Sequence, residues 1–334
     1  MVSALQGVKN GPDSAVTTRT QALLLNSKYV ILALIQGGQL KDFHGKVAVV
    51  TGTANPKGIG AAIAARLSGL GCRLVLADID GEGAAARAGE LPGEAVLVTT
   101  DMGDPDSVRR LADAVYGRFG AADILVLNHV APTGGPGHGL LSPEPGPWEL
   151  HARVNLLGVV YGIKAFVPRM IASGRHGHVL ATTSGAGVAG IMYGNGPYAC
   201  TKAAITSVME CLYGQLRDAG ADIVPGLIFP GVTDTFAAEG QARMTVDMLA
   251  TFGATTALDP PSAVADFTVD AIERDLFWAN PDPETDRRLT GGRHAGAIEW
   301  ENDVVRRRAD AFAGRGAPGP YLWGPPSDLL EGPR

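Results

Sequence analysis

Cysteine is scarce: three in 334 residues, at Cys72, Cys200 and Cys211, with no Cys-x-x-Cys pair and no His/Cys cluster. That excludes a disulfide frame or a cysteine-built metal site and reads as reduced thiols in a cytosolic protein. There is no long basic run, and the formal net charge is −6, which argues against a nucleic-acid or anionic-membrane partner. The apolar stretch Leu23 to Ile35 is broken by Asn26, Ser27 and Lys28 and is too short and too polar to span a bilayer. The start lacks a basic n-region and a following small-residue cleavage site, so a secretory signal is not expected. Internal repeats and low-complexity tracts are also missing. What is present, 46% hydrophobic and 19% charged residues, is the composition of a soluble globular protein with a sizeable core.

Residues 1–44 are polar, then mixed, and read as an N-terminal extension: loosely docked, an over-long translation start, or a helix that packs on a partner or a membrane surface. From Gly45 the chain alternates short β-branched runs with helical spacing. Strands are expected at 46–50, 73–77, 95–100, 123–127, 178–182, 223–229 and 276–279. Helices are expected at 61–67, 106–119, 148–170, 197–217 and 261–274. Buried strands alternating with helices mean an α/β domain with a doubly wound parallel sheet, placed at 45–285. Residues 286–334, charged and then rich in Pro and Gly, read as a C-terminal tail. The mixed, Met-containing stretch 236–257 suits a lid.

Chemistry concentrates where strands end. Lys46–Val50 runs directly into Thr51-Gly52-Thr53-Ala54-Asn55-Pro56-Lys57-Gly58-Ile59-Gly60 and then a helix. Glycines in that context allow a tight turn and let backbone N–H groups meet a pyrophosphate at a helix N-terminus. Asp78 closes the second strand 18 residues after Gly60, near the distance at which an acid reaches the adenosine ribose hydroxyls. Tyr198 and Lys202 are one turn apart on one helix face, with Pro197 suited to a first helical position. An ammonium near a phenol is expected to pull its pKa from about 10 towards neutrality. Alone, Tyr-x-x-x-Lys is a chance pattern in many helices; Asn155 alone reads as a helix cap and Ser184 as a turn residue.

Together these motifs resemble, in order and over residues 45–285, the short-chain dehydrogenase/reductase family. The resemblance implies a Rossmann fold and a catalytic set of Asn155, Ser184, Tyr198 and Lys202. In it, Tyr198 is the acid/base and Ser184 hydrogen-bonds the same substrate oxygen. Lys202 holds the nicotinamide ribose, and Asn155 anchors a proton-relaying water. The implied cofactor-binding residues are Gly52, Lys57, Gly58, Ile59, Gly60, Asp78, Asp101, Met102, Asn128, Tyr198, Lys202, Pro230, Gly231, Val232 and Thr235; no metal is expected. Relatives pair through their two long helices, so a homodimer or homotetramer is expected, with Tyr161, Phe166, Met209 and Leu212 as outward apolar positions.

The chain departs from the family pattern in three places. Five residues, Thr53 to Lys57, separate the first two turn glycines instead of three. The usual Asn-Asn-Ala-Gly is Leu127-Asn128-His129-Val130, where His129 is expected to reshape the floor beneath the nicotinamide. Ser184 precedes Tyr198 by 14 positions, not 13, with Thr183 the weaker alternative. The function this implies is hydride transfer between NAD(H) and a small-to-medium, mostly apolar secondary alcohol or ketone, in the cytoplasm. Lys57 favours NADP and Asp78 favours NAD; the aspartate is given precedence. The alternatives are an NADPH-dependent ketoreductase, an NAD(P)-binding regulator without turnover, and a nucleotide-sugar epimerase or dehydratase. Cys200 reads as packing. His138, Met192, Tyr193, Phe236, Met244, Met248 and Phe252 are further pocket candidates.

Overall fold

A computed structural model describes residues 42–132, 140–141, 143–189, 196–235 and 258–279. The extension before residue 42, the expected lid at 236–257 and the tail lie outside them. So do His138, Met192, Tyr193, Phe236, Met244, Met248 and Phe252.

The chain forms β1 (Val47–Thr51), α1 (Ile59–Gly69), β2 (Arg73–Asp78), α2 (Gly81–Glu90), β3 (Ala95–Thr99), α3 (Pro105–Phe119) and β4 (Ile124–Leu127). It continues with α4 (Gly146–His151), a π-helical turn (Ala152–Leu157), α5 (Gly158–Ser173), β5 (Gly177–Thr182), α6 (Gly185–Ala189) and α7 (Gly196–Asp218). β6 (Ile223–Ile228), α8 (Pro261–Glu273) and β7 (Trp278–Ala279) complete it. The seven strands are all parallel, in the order β3-β2-β1-β4-β5-β6-β7. β1 therefore lies between β2 and β4, and the crevice where the order reverses opens at the carboxyl ends of β1 and β4.

Alternation of side chains builds the two halves of the core. Val47 and Val49 point into one apolar layer with Phe166, Met170, Met209 and Leu212; Ala48 and Val50 point into the other with Ile63, Leu67, Val264 and Ile272. Phe43 is buried in that second layer beside Cys72. Both faces of β1, β4 and β5 are covered, which is why these strands read as unbroken apolar runs. Asp104 caps α3 by accepting from the backbone of Asp106 and Ser107, and Gly120 at φ 73 ends it.

Five expectations are corrected. α2 and the short α6 were not expected. The last strand is two residues, Trp278–Ala279. The helix expected at 148–170 is two α segments joined by the π turn that carries Asn155. Phe166, Met209 and Leu212 do not face outward; they are packed inside this chain's own core, because the π turn sets the phase of α5 and the sheet claims the apolar face of α7. Cys200, expected to pack, is instead exposed on α7.

Candidate active site

The carboxyl ends of β1, β4, β5 and β6 bring most of the expected site residues to one edge. Gly52 leaves β1 at φ +72, and a side chain there would strike the His129 backbone at 2.9 Å. At Gly60 a Cβ would run into the Gly52 carbonyl oxygen and come 2.8 Å from Nδ2 of Asn128. Only glycine lets α1 begin this close to the sheet. Gly58 N-caps α1 with no side-chain hydrogen bond, and the first turn holds no acid, so the N–H groups of Ile59 and its neighbours are left for an anion. The hydroxyl of Thr53 is buried without a partner. This cradle and its orphaned donor fit a dinucleotide pyrophosphate.

The lengthened glycine loop folds on itself through Asn55. Its carbonyl accepts from Gly58 N at 2.8 Å and its Oδ1 from Lys57 N at 3.0 Å, while its Nδ2 donates to the Thr235 carbonyl at 3.1 Å. Asn55 thereby ties the loop after β1 to the segment after β6, a link that the glycine spacing does not announce. Lys57 itself is exposed. Asp78 is half-buried, with Oδ2 accepting from Ala54 N at 2.9 Å and Oδ1 from Asp80 N at 3.0 Å. Two backbone donors fix the carboxylate and leave its remaining lone pairs for hydroxyl groups.

Asp101 is half-buried, its Oδ1 accepting from Gly103 N at 2.8 Å, and Met102 is buried next to it. Asn128 joins three strand ends: Nδ2 donates to the carbonyls of Thr51 and Gly52 at 3.3 Å, and Oδ1 accepts from Thr182 Oγ1 at 2.9 Å. Pro230, Gly231, Val232 and Thr235 follow β6. Asp259 pins that segment, its N donating to Val232 O at 2.8 Å and its carbonyl accepting from Asp234 N at 2.9 Å.

Lys202 is buried, and its Nζ donates to the Thr182 carbonyl at 2.7 Å, 5.6 Å from the centre of the Tyr198 ring. Burial pushes its pKa down to about 7. Burial also pushes the Tyr198 phenol up, and its hydrogen bond with the Ser184 hydroxyl pulls the other way without prevailing. The expected descent of the tyrosine towards neutrality is therefore corrected for the chain by itself, since desolvation penalises both charged forms. Ser184 Oγ accepts from Ala186 N at 3.2 Å in the first turn of α6. Thr183, by contrast, is buried and its hydroxyl donates to the Lys202 carbonyl at 2.9 Å, so Ser184 is the hydroxyl free to meet a substrate oxygen.

Asn155 is buried in the π turn, its Oδ1 accepting from Ala131 N at 2.7 Å and its Nδ2 donating to Thr201 Oγ1 at 3.2 Å. It fastens the loop after β4 to α7 one residue before Lys202. His129 turns into the sheet end: Nδ1 lies 2.9 Å from Thr51 Oγ1, and a Cβ on Gly158 would stand 2.6 Å from Nε2. Burial first, then the nearby Lys202 charge, push its pKa down to about 3, the Val154 carbonyl pulling weakly the other way. His129 is thus a neutral spacer under the site. Thr182, Thr201 and Asn55 are positioning residues that motif reading missed; Thr182 alone had a signal, as the last residue of a strand leading into Ser184.

Residues 46–245 match the family described as short chain dehydrogenase. The chain is 35% identical over 250 residues to the 1-deoxy-11-beta-hydroxypentalenate dehydrogenase of Streptomyces avermitilis, covering 72% of this chain and 86% of that protein. It is 35% identical over 176 residues to a C alpha-dehydrogenase of a Sphingobium species, covering 51% and 55%. Among solved structures it is similar to a short chain dehydrogenase/reductase from Burkholderia phymatum in complex with NAD, at 27% identity and a TM-score of 0.63, covering 84% of this chain and 99% of that one. A metagenomic short-chain oxidoreductase in complex with NADP matches at 29% identity and a TM-score of 0.56, covering 70% and 93%. Fold, glycine cradle and matched sequence agree: the chain belongs to the short-chain dehydrogenase/reductase family of oxidoreductases.

Proposed function

We propose that the chain is an NAD(H)-dependent dehydrogenase or ketoreductase acting on a small-to-medium, mostly apolar secondary alcohol or ketone, with Tyr198 as acid/base. The observation that carries this is the meeting of the Tyr198 phenol with the Ser184 hydroxyl while Lys202 is held over the ring by the Thr182 carbonyl. A bound nicotinamide supplies the hydride chemistry. In the oxidative direction Ser184 and Tyr198 bind the carbinol oxygen, and Tyr198 takes up its proton as the C–H hydride leaves; in reduction Tyr198 returns the proton. Lys202 can donate to ribose hydroxyls and, when charged, steadies negative charge as it develops on Tyr198. One relative is named for a hydroxylated substrate that it dehydrogenates, which supports alcohol oxidation as the reaction class.

A screen of NAD with varied secondary alcohols, and of NADH with the matching ketones, tests the reading. Saturable turnover of at least one pair is expected; cofactor binding with no turnover across the panel would favour a regulator. We further propose a homodimer or homotetramer in the cytoplasm, pairing through α5 and α7. Support comes from the exposed stripe Ala203, Ser207 and Cys211 on α7, whose small side chains permit close approach. Light scattering at micromolar concentration checks this, and a monomer mass would refute it.

A further inference from the structure

At the other edge of the sheet, the amino ends of β5, β6 and β7 gather His176, His178, Asp222 and Asp275. Parallel pairing of Gly177 with Ile223, and of Leu227 with Trp278, brings these strand starts side by side. Nε2 of His178 lies 3.0 Å from Oδ1 of Asp275, and Nε2 of His176 lies 3.5 Å from the same oxygen. One ligating atom from each of the three residues lies within 4.8 Å of the other two. The imidazoles meet edge to face, centroids 5.0 Å apart at 85°.

Two further observations point to a ligand. Nδ1 of His176 is 2.8 Å from Oδ1 of Asp222, an N–H to carboxylate bond that sets the tautomer and leaves the Nε2 lone pair facing the cluster. That Nε2 is buried, and at 3.5 Å from Asp275 Oδ1 it makes no well-directed hydrogen bond. A carboxylate behind an imidazole whose other nitrogen is open is the usual second layer of a metal-bound histidine. Asp275 sits at φ 54, the only non-glycine with positive φ among the described residues, and this left-handed turn after α8 brings its carboxylate to the two rings.

We propose that His176, His178 and Asp275 bind one divalent d-block cation, zinc foremost, with Asp222 as the residue that positions His176. Metal–ligand bonds of about 2.0–2.2 Å in a tetrahedral site put neighbouring ligand atoms roughly 3.3–3.5 Å apart. The two histidine–carboxylate separations, 3.0 and 3.5 Å, bracket that range; the two histidine nitrogens lie within 4.8 Å of each other, so closure requires the imidazoles to draw together. Two imidazoles and one carboxylate suit zinc, cobalt or nickel; magnesium and calcium take oxygen ligands. Three protein ligands leave a fourth position for water, on the side where His176 and Asp275 retain 11% and 21% side-chain exposure. The ion's role is to hold the starts of three strands together, since Ser184 and Tyr198 follow the opposite ends of the same sheet.

The test is calorimetric titration of the untagged full-length chain, stripped with chelator, with zinc sulfate, followed by cobalt(II) titration read by visible absorption. Expected are one ion per chain, a Kd in the micromolar range or tighter, a four-coordinate cobalt spectrum and a Tm that rises with zinc. His176→Gln and Asp275→Asn should each weaken binding ~100-fold or more, and Asp222→Asn ~10-fold, within the range for an outer partner. Cofactor binding by each variant confirms folding, and the exposed Asp222 variant decides the matter should the buried ones fail to fold. Absence of saturable binding below a millimolar, or undiminished affinity in the Asp222 and Asp275 variants, overturns the site.

Discussion

The two edges of this sheet are built on opposite plans. At the carboxyl edge the backbone does most of the holding: N–H groups fix Asp78 and Asp101, carbonyls fix Lys202 and Asn128, and glycines clear space. The Ser184 and Tyr198 hydroxyls meet each other at this edge, placed to turn to a ligand. At the amino edge side chains hold one another, as His176, His178, Asp222 and Asp275 do. The difference teaches where substitutions act. A carboxyl-edge change should alter chemistry with little effect on stability, and an amino-edge change the reverse.

The largest expected effect tests the first half of that contrast. Tyr198→Phe removes the transferable proton, so turnover should fall ~10²–10⁴-fold while NAD affinity and Tm stay near wild type. Full activity in this variant would show that the acid/base lies elsewhere. Next comes cofactor choice. A carboxylate beside a 2′-phosphate is strongly repulsive at a partly buried site, so NAD should exceed NADP by at least ~100-fold in kcat/KM, about 2.7 kcal/mol. Asp78→Asn should erode most of that. Equal use of NADP by the unaltered enzyme would mean that Lys57 governs instead.

Gly60→Ala should break the contrast, because its Cβ meets backbone on the Gly52 side. We expect ~10-fold or greater loss of cofactor affinity together with a lowered Tm, read by titration and by thermal unfolding. The smallest effect is on pH-dependent stability. Lys202 binds its proton less tightly folded (about 7) than unfolded (10.5). Between those values the unfolded chain holds the extra proton, so cofactor-free stability should rise with pH from about 7 upward and its Lys202 contribution be lowest in acid. Lys202→Met should flatten this slope in denaturant titrations at pH 6 and 9; an unchanged slope would assign it to another group.

Legibility follows the same divide. Motifs at the carboxyl edge are local, each a strand end and the few residues after it, so composition and spacing reveal them. α2 escaped because Gly81–Glu90 is built of glycine, alanine and charges, buries only Ala84 and depends on the Asp80 cap, leaving no apolar period to detect. The protonation of Tyr198 and Lys202 was misjudged because spacing reports a neighbour, whereas the depth of the pocket decides the sign. His129 is expected from spacing to reshape the nicotinamide floor, but only the fold shows that Gly158 and Thr51 make the place it occupies. The amino-edge cluster draws on three separate stretches of chain, and only strand order joins them.

The π turn at Ala152–Leu157 has one more consequence, for anyone aligning or redesigning this chain. An α-helix advances about 100° per residue, so a turn holding one residue more than its neighbours rotates everything beyond it by that angle. The buried positions of α5, Val159, Gly162, Phe166, Val167 and Met170, are in phase with the sheet only because the helix slips a notch before them. A helical wheel drawn straight through residues 146–173 would put this stripe on the wrong side. Deleting one residue at the turn would make the helix more regular and the protein worse, turning Phe166 towards water while leaving α4 where it was.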